Sequence, residues 1–107
     1  MAAEPKLAYM VIATLPSEAV AAEYVEWLLG GHVAAGGAGG ASVGEVIRLD
    51  VEAGEPARLM SRYEFASRAA FEKYVREVAP ALRAEGVEKF GASRRVTFAR
   101  FVGEVQG

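Results

Sequence analysis

The chain has no cysteine, one histidine and one tryptophan among its 107 residues. Without thiols, a disulfide framework, thiolate zinc centres and a cysteine nucleophile are excluded. A lone imidazole leaves only carboxylates for a metal, and none cluster at ligand spacing, so no metal and no cofactor is expected. There is no basic excess. Twelve Lys and Arg stand against 14 Asp and Glu, a formal net charge of −2, which argues against general nucleic-acid or anionic-membrane binding. The longest apolar stretch, residues 7–15, is closed by Pro16. It falls far short of the roughly 20 residues that a helix needs to cross a bilayer. Glu4 and Lys6 cancel ahead of it, so it has no basic leader, and no small-residue cleavage site follows. The reading is a soluble, cytoplasmic chain.

The composition, 52% hydrophobic and 24% charged, is that of an ordinary globule. At this length about two thirds of the unfolded surface can be buried without a staple. Residues 1–5 read as a disordered end, and residues 6–104 as one domain. Residues 6–15 (KLAYMVIATL) are rich in Tyr, Val and Ile and almost continuously apolar, the mark of a strand buried on both faces. Ser17 is placed to cap a helix, with Glu18 in its first turn, where the dipole favours an anion. Val20, Tyr24, Trp27, Leu28 and Gly31 recur at helical spacing. This helix is expected to fade by His32, because Gly30 and Gly31 are costly in a helix interior.

The run Gly36-Gly37-Ala38-Gly39-Gly40 reads as a slack or mobile loop; it lacks the Lys and the strand-to-helix setting of a phosphate cradle. A second strand is expected from Ser42 to about Val51, a turn at Gly54 and Pro56, and a third strand from about Arg58 to Phe65. Ser67 caps a second helix with the stripe Phe71, Tyr74, Val75, Val78 and Leu82. Pro80 should kink or restart it, and Gly86 is a plausible stop. The last strand is read over residues 95–104.

The order is therefore β-α-β-β-α-β. Right-handed crossovers place two helices on one face of a four-stranded antiparallel sheet, the ferredoxin-like arrangement of an α+β protein. Strands 1 and 4 are apolar at both parities, whereas a half-solvated sheet alternates apolar with polar. The helix-free face therefore needs a cover. The simplest is a second copy, giving a homodimer through that face, with Met10, Val11, Ile12, Phe98 and Phe101 contributing at their inward parities.

Three segments carry a resemblance: Tyr24-Val25-Glu26-Trp27-Leu28 with His32-Val33, then Ala79-Pro80-Ala81-Leu82-Arg83, then Phe90-Gly91 before the last strand. In order and spacing they resemble the dimeric α+β barrel superfamily, and within it a small bacterial family of unknown function. Tyr24 stands where that pattern has Trp, and Ala34 where it has Pro. The resemblance implies the fold and a dimer. It leaves chemistry open, because the superfamily includes cofactor-free monooxygenases, lactone isomerases, haem enzymes and plain ligand-binding domains.

Five residues are candidates for a site. His32, the only side chain titrating near neutrality, is either a general base beside Trp27 at a cavity mouth or a helix-end group bonding the last carbonyls. Ordinary histidine usage favours the second. Trp27 with Tyr24 walls a pocket or packs the core. Arg48 and Arg62 come close if the turn between their strands has an odd number of residues. They then need Asp50 and Glu64 as neighbours, or a bound carboxylate; an even turn dissolves the pair. Tyr63 is the further polar group that would join His32. RNA binding finds no aromatic ribonucleoprotein signature in RLMSRYEF. Two functions follow: a dimeric domain that binds a small molecule or serves as a dimeric module without catalysis, or a cofactor-free enzyme of the monooxygenase or isomerase type acting on a small organic substrate. Convergence of His32 with Tyr63 or Arg48 on one cavity separates them.

Overall fold

A computed structural model describes residues 4–107; residues 1–3 of the expected disordered end lie outside the described residues. Strand β1 (Leu7–Leu15) leads into α1 (Glu18–Trp27), a π-helical turn (Leu28–His32) and α2 (Val33–Ala38). Then come β2 (Val43–Arg48), β3 (Ala57–Phe65), α3 (Arg68–Glu77), α4 (Ala79–Phe90), a 3-10 turn (Ala92–Arg94) and β4 (Thr97–Glu104). The sheet is antiparallel in the order β2-β3-β1-β4. The fold is ferredoxin-like α+β, with both helical arms on one face.

Local chemistry sets the helix starts. The Ser17 hydroxyl accepts from the Val20 N–H at 3.2 Å, and that of Ser67 from the Ala70 N–H at 3.1 Å; each satisfies one orphan donor of a first turn. The helix ends differ from expectation. The first arm does not stop at the glycines but turns there: Gly31 adopts φ +150°, a value open to glycine, and the chain resumes as α2. The glycine run is therefore partly helical and packed. A Cβ on Gly36 would lie 2.6 Å from Tyr63 Cε1, so only glycine lets α2 lie on that ring. The second arm does restart at the proline, one of its two expected courses: Pro80 occupies the first turn of α4, where its missing N–H costs nothing. Gly86 does not end the helix; it is buried mid-helix against Trp27, and α4 runs on to Phe90.

Register decides which side chains meet. Arg48 pairs with Leu59 and Glu45 with Arg62, so the turn holds an even number of residues. β2 ends at Arg48 rather than Val51, and β4 begins at Thr97, since Arg95 is left-handed at φ +60°. On the helix face the core forms two clusters. One joins Ala13, Leu15, Tyr24, Leu28, Leu59 and Phe90; the other joins Leu7, Tyr9, Tyr63, Phe65, Phe71 and Tyr74. Between them runs the sheet row Val46, Ser61, Val11, Arg100, whose two central members are small. Large side chains on either side of a small pair leave a gap.

On the helix-free face, Ile47, Met60, Ile12 and Ala99 form one row, with Met10 and Phe101 alongside. Val11 and Phe98 instead face the helices and pack on the two clusters. Their expected share in the helix-free face is thereby corrected: the parity set by Ala13 pairing with Phe98 sends both to the other side.

Candidate functional site

The gap over Ser61 and Val11 is a cavity of about 40 Å³, room for a few waters. Its floor is the sheet, with Tyr9 and Tyr63 at one end and Phe98 at the other. Tyr24, Trp27 and His32 form the wall from the first helical arm; Tyr74, Leu82 and Gly86 form the wall from the second. The exposed lining residues Arg83, Val87 and Arg100 mark the mouth.

His32 reaches this wall because the chain turns at Gly31. Its ring stacks on Trp27, centroids 4.1 Å apart and planes 30° from parallel. Trp27 is held in turn by its indole N–H, which donates to Glu85 Oε1 at 3.0 Å. His32 Nδ1 is buried without a hydrogen-bond partner among the described residues, a costly state for a polar atom. It caps no helix carbonyl, and the helix-end role does not form. Burial holds its pKa below the ordinary value, against a smaller opposing effect of Glu85, so at neutral pH the imidazole is uncharged and able to take or give a proton.

The Tyr24, Tyr63 and Tyr74 phenols line the cavity together with Ser61, which is itself buried. Desolvation pushes the pKa of Tyr24 and of Tyr63 up to about 12, and that of Tyr74 higher still. All three stay protonated and remain donors across physiological pH. Tyr9 stacks on Tyr63 at 6.0 Å, and its hydroxyl accepts from Arg83 Nη2 at 3.4 Å.

The structure thus brings His32, Trp27 and Tyr63 to one cavity. It does not bring Arg48 or Arg62. Arg48 lies on the helix side at the sheet edge, ion-paired with Glu18 at 2.5 Å. Arg62 lies on the helix-free face between Glu64 (2.7 Å) and Glu45 (3.4 Å). The even turn puts them on opposite faces, and Glu45, not Asp50, supplies the second carboxylate. Sequence reasoning missed Tyr9, Ser61, Tyr74, Arg83 and Arg100. One signal was available: Ser61 is the polar break in the stripe Leu59, Tyr63, Phe65. Among the described residues no group of three His, Asp or Glu could hold a metal ion, and no helix is long and apolar enough to cross a membrane.

The fold and the cavity together define a ferredoxin-like α+β domain with an internal site between its helical arms and its sheet. No family model and no curated protein sequence matches the chain. Solved structures do. A dimeric ferredoxin-like protein from an uncultured marine organism is 20% identical, with a TM-score of 0.72 over 97% of this chain and 98% of that one. An ethyl tert-butyl ether D (EthD) family protein from Bacillus halodurans is 13% identical, with a TM-score of 0.69 over 94% of this chain and 99% of its own. SnoaB, a cofactor-independent oxygenase from Streptomyces nogalater, is 10% identical, with a TM-score of 0.67 over 96% and 95%. The chain shares their ferredoxin-like fold.

Proposed function

We propose that this protein binds a small organic molecule in the cavity between helices and sheet, as a homodimer closed through the helix-free face. One observation carries the binding reading. His32 and Tyr63, from distant parts of the chain, converge on one cavity, and His32 Nδ1 is left there, buried, with no partner among the described residues. Native structures satisfy buried polar atoms, and a ligand atom would satisfy this one. The dimer reading rests on the apolar row of the helix-free face, where Phe101 is 53% and Ile47 36% exposed. The dimeric ferredoxin-like neighbour supports it.

A second reading is favoured by the uncharged state of His32: proton abstraction from the bound molecule without a cofactor, as an oxygenase or isomerase would require. The likeness to SnoaB is compatible with it.

The binding test uses Trp27, the only tryptophan, as a fluorescent wall of the site. A library of small organic compounds is screened by Trp27 emission and by melting, against the parent and Gly86→Leu. A side chain at Gly86 points at Trp27, its Cβ 3.4 Å from the indole, and fills the cavity. Compounds that move both signals in the parent and neither in Gly86→Leu support the reading. Hits that bind both proteins alike contradict it. For a turned-over hit, His32→Ala should lower the rate by about 10² to 10⁴; an unchanged rate removes the second reading.

A further inference from the structure

Building on the proposed cavity reading, we infer that Gly86 sets what the cavity accepts. The side chain it lacks is the space that receives a narrow polar end group of about two or three non-hydrogen atoms, while the rest of the molecule stays at the mouth. A comparison of glycines carries this. Among the described residues three glycines are buried, Gly36, Gly86 and Gly91. Two are dictated by packing: a Cβ on Gly36 would lie 2.6 Å from Tyr63 Cε1, and one on Gly91 would run into the Val87 carbonyl oxygen. Gly86 is not. It sits in the interior of α4, where glycine is the poorest helix former after proline. Outside its own helix a Cβ there would meet one heavy atom within 4 Å, Trp27 Cη2, at an ordinary contact distance of 3.4 Å.

The place of Gly86 supplies the reason. Leu82 packs on one core cluster and Phe90 belongs to the other; Gly86, one turn from each, leaves a notch in α4 between them. The sheet has its own break at Ser61 and Val11, and the cavity is lined by both breaks. Carbon atoms keep about 3.5 Å apart, so in a space of about 40 Å³ a single methyl at residue 86 takes most of the room. The same volume excludes a ring or a branched end. The lining makes the end group polar. The protonated phenols of Tyr24, Tyr63 and Tyr74 are donors, and His32 Nδ1 has no partner among the described residues. A primary hydroxyl, which both gives and accepts a hydrogen bond, is the simplest group that answers both.

1-Butanol and its branched isomer 2-methyl-2-propanol are titrated into the full chain and followed by the single indole N–H signal of Trp27 in NMR, which registers weak binding. 1-Butanol should bind the parent at least about tenfold more tightly than its isomer, and Gly86→Ala should weaken it about tenfold, the usual effect of an overpacked methyl. Gly86→Ala should also melt about 4 °C higher than the parent, because alanine restores helix propensity without a clash. Gly37→Ala, where a Cβ meets nothing within 4 Å, should leave 1-butanol binding unchanged. A Gly86→Ala that melts no higher than the parent returns the glycine to packing and overturns the inference. So does 1-butanol binding that is indifferent to Gly86→Ala, equal binding of the two isomers, or binding by neither. The cavity reading is decided separately: library compounds that bind the parent and not Gly86→Leu sustain it in each of these cases.

Discussion

The two faces of the sheet invert the usual relation between burial and polarity. The helix-covered face is buried, yet its centre holds a serine, tyrosine hydroxyls and an uncharged imidazole. The helix-free face lies open in the single chain, yet its centre is Ile12, Met10, Met60 and Phe101. Polar groups are retained in an interior where they meet something specific, and apolar groups stay outside where something will cover them. The inner anomaly points to a small ligand, the outer one to a second protein. The adjoining ion cluster of Arg62 with Glu45 and Glu64 gives the outer face a polar margin like that of an interface rim.

Three substitutions break this contrast, in decreasing order of effect. Ile12→Glu puts a carboxylate in the middle of the helix-free row. An unpaired charge buried between two copies costs about 4 kcal/mol, or about a thousandfold in dissociation constant. Sedimentation at micromolar concentration should show a dimer for the parent and a monomer for the variant. A parent that sediments as a monomer removes the interface.

Gly36→Ala attacks the inner face from above, by pressing a methyl group into the Tyr63 ring 2.6 Å away. Overpacking of this kind should cost about 2 kcal/mol. Nothing lies within 4 Å of a Cβ on Gly37, so Gly37→Ala in the same helix should be neutral or stabilising by up to about 1 kcal/mol. Urea unfolding of the pair isolates the contact from helix propensity. Ser61→Ala removes the buried hydroxyl of the cavity floor and should cost at most about 1 kcal/mol, since cavity water can take up part of the lost bonding. A stabilised Ser61→Ala would mean that the hydroxyl makes no bond in the cavity.

The fold was largely legible because it rests on periodicity and caps. The alternation in β3, the helical stripe of α3 and the serines at 17 and 67 each act within a few residues, and sequence displays such signals directly. The site was half legible. Trp27, Tyr63 and His32 stand out as rare or aromatic residues, but their convergence depends on the turn at Gly31. There the glycine pair permits a change of direction that propensity reads as a stop. The register of β2 on β3 depends on the parity of a turn with no fixed type, so the placement of Arg48 and Arg62 was undetermined. Arg83 and Arg100 line the cavity mouth, and only a folded chain shows such neighbours.

The account turns on His32 as a half-buried, uncharged wall of the cavity, and the single histidine makes it directly observable. Burial lowers its folded-state pKa below the ordinary 6.5, so at slightly acidic pH the unfolded chain binds more protons than the native one. Stability should then be fully present above pH 6.5 and be lost as pH falls below it, toward and past the folded pKa; His32→Gln should abolish that part of the dependence. The most direct measurement is the side-chain nitrogen NMR titration of His32 in the folded protein. The account predicts a midpoint below 6.5 that shifts when a compound quenches Trp27. A midpoint at or above 6.5, as for a histidine bonded to helix-end carbonyls, unmoved by such a compound, would contradict it.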